Sequence, residues 1–341
     1  MAGILRYNRP MRVLLVKLSS MGDVLHNLPV VSDLARAYPE IEIDWVTEAP
    51  YADLLALHPN VRRVIPTHLR ELKKHWWSPT AWSIFFDDKA QLKGRTYDTI
   101  LDTQGLIKSA LVCRWANGPA AGFSRESARE PLAAYGYDRH IAVPRALHAV
   151  ERNRRLAAGI FGYEPNQRVD YGLRLQVSAQ SASPAQPYVV FLHASSRADK
   201  LWPELHWVAL GQRLRDSGIG VVLPWGNANE RGTSERLASA ISGAMVPPTM
   251  SLLEAAAMLS QARGVVGVDT GLAHLSVALA RPTVGLYLTT SPALTGLYGS
   301  GSAVNYGSDL AINLGGGSPQ RPVVPGVDDA WCALLSLLSP K

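Results

Sequence analysis

Apolar, β-branched segments alternate along the chain with longer amphipathic segments. Met11–Leu18 and Ile41–Thr47 have the composition of buried strands, and Val24–Tyr38 between them has the spacing of a helix. The same alternation continues through most of the sequence. Because consecutive parallel strands need a crossover connection, the pattern predicts an α/β fold with doubly wound parallel sheets.

A segment rich in Ser, Ala, Gln and Pro interrupts the alternation, which then starts again. We therefore predict an N-terminal domain over residues 1–175, a linker over 176–187 and a C-terminal domain over 188–325. Residues 326–341 are predicted to form a helix that packs back on the N-terminal domain. Ligands of open parallel sheets bind outside the carboxyl ends of the strands, so the expected site is a central cleft between two facing Rossmann-like domains.

The stretch His68–Lys93 departs from this pattern because it mixes basic and large aromatic side chains. These residues are Arg70, Lys73, Lys74, Lys89, Lys93, Trp76, Trp77, Trp82, Phe85 and Phe86. One interpretation is an inserted helix that packs on the sheet. The other is contact with a membrane surface, where aromatic rings lie at the level of the lipid headgroups.

Composition narrows the class of protein. The chain has 341 residues, of which 47% are hydrophobic and 18% charged, as expected for packed domains. No apolar run is long enough to cross a bilayer, and no cleavage site follows the short apolar run near the N-terminus, which predicts a cytoplasmic protein. The net charge of +6 favours anionic partners. Cys113 and Cys332 lack CxxC spacing and are predicted to be reduced core thiols.

The first strand-to-helix turn, "KLSSMGDVLHNLP", places Asp23 where a helix begins. The carboxylate is interpreted either as a helix cap or as a general base at the carboxyl end of a strand. The turn contains the single glycine Gly22 and lacks GxGxxG, which argues against a dinucleotide-binding dehydrogenase.

Two turns in the second half carry residues suited to a nucleotide. Ser195 and Ser196 offer hydroxyl donors, and Lys200 is a mobile cation suited to a phosphate. Alternatively, this turn is a solvated loop in which Lys200 is an ordinary surface residue. Glu230 is placed to bind the two vicinal hydroxyls of a ribose or to stabilise the first turn of a helix.

The stretch "VDTGLAHL" combines a strand end, a tight turn and a helix start. Asp269 ends the strand, and Thr270, Gly271 and Leu272 present backbone N–H groups at a helix N-terminus, which binds phosphate well. His274 in the first turns is either a further donor or an ordinary core residue.

The motifs "KLSSMGD", "HASSRADKLWP" and "GVDTGLAHL" together resemble the lipopolysaccharide heptosyltransferases of glycosyltransferase family 9, in order and over nearly the whole chain. The resemblance implies the GT-B fold and a cytoplasmic protein peripheral to the inner membrane. It implies inverting transfer of L-glycero-D-manno-heptose from ADP-heptose to the first Kdo of Kdo2-lipid A. It also implies no nicotinamide or other cofactor, no essential metal and no nucleic-acid partner.

Residue roles also follow from the resemblance. Asp23 is implied to be the base that takes the proton of the Kdo hydroxyl. The implied donor-binding residues are Ser195 and Ser196 with Lys200 for the diphosphate, Thr270, Gly271 and Leu272 for its cradle, Asp269 for the heptose hydroxyls, His274 for orientation, Glu230 for the ribose and Met250 for the adenine.

The segment "AGFSRESAREP" resembles the acceptor region of that family. Arg125 and Arg129 are therefore candidates to bind Kdo carboxylates or lipid A phosphates, and Arg63 and Lys108 are further candidates. Each of these cations is alternatively a solvated surface charge.

Two other functions are consistent with parts of the pattern. A related transferase that adds a later heptose or another sugar would share the donor turns and differ in the acceptor half. A two-lobed solute-binding protein would share the α/β architecture, but the missing signal peptide argues against it.

Overall fold

The computed structural model divides the chain into two compact units. Unit 1 contains the residues up to Asn166 together with Asp170–Leu173, and unit 2 contains Gln167–Val169 and the chain from Arg174 onward. The residues that the structure describes are 9–175, 186–299, 307–308 and 310–339. Most of the predicted linker, residues 176–185, lies outside them, so the linker stays a prediction.

Unit 1 is built on six parallel strands in the order β3-β2-β1-β4-β5-β6. The strands are β1 (Arg12–Val16), β2 (Glu42–Glu48), β3 (Val61–Thr67), β4 (Thr99–Asp102), β5 (Ala120–Phe123) and β6 (Arg139–Ile141). The helices are α1 (Met21–Leu25), α2 (Leu28–Ala37), α3 (Ala52–Leu55), α4 (Leu69–Lys74), α5 (Pro79–Lys93), α6 (Ile107–Trp115) and α7 (Ala149–Phe161), with 3-10 turns at Ala49–Tyr51 and Pro131–Gly136. The central strand β1 is wholly buried from Val13 to Val16, as its unbroken apolar run requires.

The single helix predicted over Val24–Tyr38 is instead two helices, α1 and α2. Asn27 is the N-cap residue of α2 and makes no side-chain cap hydrogen bond, and Pro29 is the second residue of the helix. A proline within a continuous helix would lack one N–H donor and clash with the carbonyl of Leu25, four residues earlier, so the chain breaks there and starts again.

Unit 2 contains a second six-stranded sheet in the order β11-β12-β10-β9-β7-β8. Its strands are β7 (Tyr188–Leu192), β8 (Gly220–Val222), β9 (Gly264–Val268), β10 (Thr283–Tyr287), β11 (Gly307–Ser308) and β12 (Ala311–Gly315). All pair in parallel except β11, which is antiparallel to β12. The helices are α8 (Glu204–Asp216), α9 (Ala228–Ala240), α10 (Leu252–Gln261), α11 (Gly271–Ala278), α12 (Pro292–Thr295) and α13 (Val327–Leu338), with a 3-10 turn at Ala198–Lys200.

The predicted C-terminal helix is present as α13. It packs in unit 2 against α8, β9 and β10, and its packing on the N-terminal domain stays a prediction. Its buried face, with Ala330, Ala333 and Leu334, is part of the core of that unit. Gly264 on β9 permits this close approach, because a Cβ there would lie 3.1 Å from a Leu334 methyl group.

The cysteine prediction is half right. Cys113 is buried, and burial raises the pKa of its thiol well above the ordinary value. Cys332 was also predicted to be a core thiol, but it is exposed on the outer face of α13. The helical period turns it away from the buried positions Ala330, Ala333 and Leu334.

Candidate functional site

Three loops meet at the carboxyl edge of the sheet in unit 2, because β10, β9 and β7 are neighbours. Asp269, directly after β9, lies at their junction. Lys200 Nζ is 2.6 Å from Asp269 Oδ2, and Thr290 Oγ1 donates to the same oxygen at 2.9 Å. Ser195 Oγ donates to the Asp269 carbonyl at 3.2 Å, and His274 Nε2 lies 3.9 Å from Oδ1. The structure therefore brings together four of the predicted donor residues.

The environment of Asp269 keeps its carboxyl group ionised. Burial alone would raise the pKa of Asp269, but the contacts with His274 and Lys200 outweigh it and hold the pKa well below the ordinary value. The side chains of Lys200 and Asp269 are only 17% and 13% exposed. The two groups form a shielded ion pair, so the Lys200 ammonium is positioned in advance and its charge is balanced.

Helix α11 begins beside this pair. Thr270 is its N-cap residue in an extended conformation and makes no side-chain cap hydrogen bond. Gly271 and Leu272 follow in the first turn and are half-buried. The N–H groups of a first turn have no partner within the helix, and they form the positive end of its dipole. This arrangement suits a phosphate group.

Glu230 caps its own helix. Its carboxylate accepts from the Gly226 N–H and from Asn227 Nδ2, both at 2.7 Å, while Asn227 Oδ1 accepts from the Glu230 N–H at 3.0 Å. The helix-stabilising alternative is thus realised. Among the other predicted residues, Ser196 is exposed. Met250 is half-buried and directly precedes Ser251, the N-cap residue of α10.

Two polar residues that follow strands of unit 2 were not predicted from the sequence. Thr290 follows β10, and the pair of threonines after that apolar strand was the available signal. His193, directly after β7, is buried and lies 2.8 Å from Ser234 Oγ on α9. Burial lowers the pKa of His193, against the opposing attraction of Glu230 and Glu204.

Asp23 is the third residue of α1, which starts after β1 in unit 1. Its Oδ2 accepts from the N-cap Ser20 N–H at 3.1 Å, as in a capping box, and from Ser20 Oγ at 3.2 Å. Arg129 Nη1 lies 3.9 Å from the same oxygen. The carboxylate therefore caps the helix and remains partly exposed at the carboxyl end of a strand.

Lys17 is a buried cation beneath this turn that sequence reasoning did not single out. Its Nζ donates to the Thr103 carbonyl at 2.7 Å. Burial lowers the pKa of Lys17, and attraction to Asp23 and Asp102 partly opposes this effect. The signal in the sequence was a lysine directly after the apolar run Val13–Val16 of β1.

Lys108 belongs to the same edge of the sheet. Its Nζ lies 3.0 Å from Ser19 Oγ and 3.4 Å from Glu48 Oε1. Glu48 is buried at the end of β2, and Arg70 Nη2 lies 2.8 Å from its Oε2. One buried carboxylate thus holds two cations at the turn that carries Asp23.

A further cationic group surrounds Arg129. Arg145 Nη2 donates to the backbone carbonyls of Ala128 and Arg129. Burial lowers the pKa of Arg152, and repulsion from Arg145 and Arg129 lowers it further. Arg152 Nη2 donates to the Ser127 carbonyl at 2.5 Å. This part of unit 1 is suited to an anionic ligand.

Arg63, another predicted acceptor residue, lies away from the carboxyl edge of the sheet. Arg63 on β3 lies opposite Asp44 on β2. It is four residues before β3 ends at Thr67, so it lies about 13 Å from that end along the strand. Arg125 is exposed, and its charged neighbour is Glu126.

Within the described ranges, no three His, Cys, Asp or Glu side chains are grouped as ligands of a metal ion. That the reaction needs no metal stays a prediction from the resemblance. In the same ranges, no helix has the length and apolarity needed to cross a membrane.

Two Rossmann-like doubly wound units, with a Lys–Asp pair beside a helix N-terminus in the second, define the class of GT-B-like glycosyltransferases. The chain belongs to glycosyltransferase family 9, the heptosyltransferases, whose family profile matches residues 88–311. It is 46% identical over 302 residues to lipopolysaccharide heptosyltransferase 1 of Pseudomonas aeruginosa, covering 88% of this chain and 84% of the relative.

Solved structures agree with this assignment. Escherichia coli heptosyltransferase WaaC with ADP superposes with a TM-score of 0.80 at 42% identity, covering 89% of this chain and 92% of WaaC. WaaC with ADP-2-deoxy-2-fluoro heptose gives a TM-score of 0.77 at 40% identity, with the same coverage. The predictions of the family, of a glycosyltransferase and of two parallel-sheet α/β domains are confirmed.

Proposed function

We propose that this heptosyltransferase moves L-glycero-D-manno-heptose from ADP-heptose to the first Kdo of Kdo2-lipid A, with inversion at the anomeric carbon. The observation that carries the proposal is the Lys200–Asp269 pair beside the N-terminus of α11. It occurs in a chain closely similar to a lipopolysaccharide heptosyltransferase 1.

The donor pyrophosphate takes over Lys200 from Asp269 when it binds. The N–H groups of Gly271 and Leu272 and the hydroxyl group of Ser196 add further donors. These groups stabilise the negative charge that accumulates on the departing ADP, and their fixed positions make the stabilisation effective.

Asp269, released from Lys200, accepts hydrogen bonds from the heptose hydroxyls, with Thr290 and His274 holding its orientation. Glu230 binds the ribose through carboxylate lone pairs that its capping bonds leave available, because each carboxylate oxygen accepts more than one hydrogen bond. Met250 packs against the adenine.

Asp23 removes the proton of the Kdo hydroxyl as it attacks the anomeric carbon from the face opposite the leaving ADP. A single displacement of this kind inverts the configuration. Ser20 fixes the carboxylate, so the base is oriented before the acceptor arrives. Arg129 and Lys108 bind the acceptor carboxylates or phosphates, and Arg125 and Arg63 are further candidates for the same role.

Because the acceptor is a lipid, the protein works as a peripheral protein on the cytoplasmic face of the inner membrane. The positive charge around Arg129 and Lys108 suits both the acceptor and the anionic leaflet that contains it.

A panel of donors and acceptors tests the proposal. We expect a heptosylated product, identified by mass spectrometry, only from ADP-heptose with unheptosylated Kdo2-lipid A, and ADP release only when that acceptor is present. A product formed only from an acceptor that already carries heptose would instead assign the protein to a later step. Tight ADP-heptose binding without any transfer would contradict the proposal.

A further inference from the structure

Helix α5 in unit 1 has an unusual distribution of side chains. The positions that face the sheet are Ala81, Asp88 and Leu92, which are buried, with Phe85 half-buried among them. Trp82 and Phe86 lie to one side of this buried stripe, are exposed, and have ring centroids 6.0 Å apart. The largest apolar groups of the helix thus point into solvent, although a surface helix usually buries them.

The segment that carries these aromatic residues is firmly anchored. The His68 N–H donates to the buried Asp88 carboxylate at 2.8 Å, and Arg70 is paired with Glu48 at 2.8 Å. Trp82 Nε1 donates to the Trp76 carbonyl at 2.7 Å. The aromatic residues are therefore presented by an ordered surface.

Helix α6 extends this apolar surface. Ile107 and Leu111 are exposed and four residues apart, and Trp115 follows after four more, so all three lie along one face. The Trp115 ring contacts Phe85 with centroids 5.1 Å apart, which joins the stripe on α6 to the aromatic residues of α5.

The 3-10 turn Pro131–Gly136 packs against α6 and adds two more exposed apolar residues, Leu132 and Tyr135. We call this combined surface, with Trp76, Trp77, Trp82, Phe86, Ile107, Leu111, Leu132 and Tyr135, the α5–α6 face. Contiguous apolar patches of this kind mark interaction sites.

Charges around the α5–α6 face identify the kind of partner. Five cations outnumber four acids at its margins: Lys73, Lys74, Lys89, Lys93 and Arg114 against Glu71, Asp87, Glu130 and Asp138. Lys89 Nζ lies 5.9 Å from the Trp115 ring centroid. Aromatic rings flanked by cations fit the interface of an anionic bilayer, where rings lie among the headgroups and cations meet the lipid phosphates.

We propose that the α5–α6 face docks the protein on an anionic phospholipid bilayer. Lys108 follows Ile107 on α6 and reaches Ser19 in the turn that carries Asp23, so the docked bilayer lies next to the acceptor-binding residues. The inference rests on the proposed function in one respect, because it assigns the lipid acceptor and the docked bilayer to the same membrane.

The double substitution Phe86→Gln with Leu111→Gln tests the docking. Both side chains are more than half exposed, at 57% and 51%, so their replacement removes little packing within the fold. The matched control is Leu205→Gln on α8 of unit 2, where the side chain is 81% exposed. Binding is measured by co-sedimentation with vesicles of phosphatidylethanolamine and phosphatidylglycerol, and with vesicles of phosphatidylcholine alone.

We expect the double variant to bind anionic vesicles about tenfold more weakly, because two large apolar side chains no longer insert. The control variant should bind within about twofold of the unchanged protein. A charge-reversal variant, Lys73→Glu with Lys74→Glu, should lose binding to anionic vesicles at low salt and change little on phosphatidylcholine. Matching thermal unfolding curves would verify that the variants fold.

Transfer to a water-soluble, deacylated Kdo acceptor separates the docking from the reaction. The double variant should keep that activity and lose activity on acceptor embedded in vesicles. Unchanged vesicle binding by the double variant would overturn the docking proposal, while the reaction would stand. Loss of a dimer in sedimentation, with vesicle binding intact, would overturn it in favour of a second copy of this chain. Docking by the unchanged protein without transfer to the soluble acceptor would contradict the proposed function alone.

Discussion

Replacing Lys200 by methionine removes the ammonium group and keeps most of the apolar stem. In the free protein, Lys200 Nζ is 2.6 Å from Asp269 Oδ2, and both side chains retain a little solvent contact. Removing one partner of a fully buried ion pair costs about 3–5 kcal/mol. Because this pair is partly solvated and Thr290 remains bonded to Asp269, we expect a loss of about 1–2 kcal/mol in the free energy of unfolding.

The effect on ligand binding is separable from this loss of stability. A charge-assisted hydrogen bond contributes about 1.5–3 kcal/mol, so Lys200→Met should weaken ADP binding by roughly ten- to a hundredfold. Asp269→Asn acts differently, because it leaves Lys200 without its anionic partner. We expect that variant to bind ADP at least as tightly as the unchanged protein, and to lose the additional affinity that the heptose of ADP-heptose provides.

Isothermal titration calorimetry with ADP and with a non-transferable ADP-heptose analogue measures both effects, and intrinsic fluorescence follows unfolding. The refuting result is clear for each variant. If Lys200→Met binds ADP within twofold of the unchanged protein, Lys200 does not hold the pyrophosphate. If Asp269→Asn weakens ADP and the analogue equally, Asp269 does not contact the sugar.

Three further predictions concern single side chains. Arg129→Gln should raise the KM for the lipid acceptor about tenfold, because Arg129 lies 3.9 Å from Asp23. Arg63→Gln, about 13 Å from the carboxyl end of its strand, should raise it less, and equal effects in steady-state kinetics would argue against the assignment. Because the pKa of His193 is lowered in the folded state, the unfolded chain is protonated at this residue first as the pH falls. The free energy of unfolding should therefore decrease as the pH drops below about 6.5. In urea titrations His193→Gln should reduce this dependence on pH, and an unchanged dependence would contradict the argument. Glu230→Gln should lower the melting temperature slightly and weaken ADP binding more than phosphate binding. A lower melting temperature with unchanged ADP binding would show that Glu230 only stabilises its helix.

Much of the fold was predictable because apolar runs and their spacing are local properties of the sequence. The strands around β1 and β9 are uninterrupted apolar segments and were found. β3 was missed because Arg62 and Arg63 lie within it and obscure its pattern, and β5 because it consists of "AAGF", which has weak strand character. The placement of α13 was not predictable from periodicity, which gives a helix its buried face but not its partner.

The candidate site shows the same division. Asp269 follows β9 directly, and Asp23 and Lys200 lie in the connections that follow β1 and β7, so their positions at a sheet edge follow from the alternation of strands and helices. The contacts of Glu48 with Lys108 and Arg70 depend on the order of strands in the sheet and on a helix distant in sequence. No local pattern contains that information, which is why Glu48 was overlooked.

The central claim is that Asp23 acts as the base of a transferase whose donor is held in unit 2. One experiment tests it directly: measuring kcat for heptosyl transfer and the Kd for ADP-heptose on the variant Asp23→Asn. Because a positioned general base contributes about 10²–10⁴-fold to a rate, we predict a fall in kcat of that size with the Kd changed by less than about twofold. Retained turnover, or a loss of donor affinity that matches the loss of rate, would contradict the account.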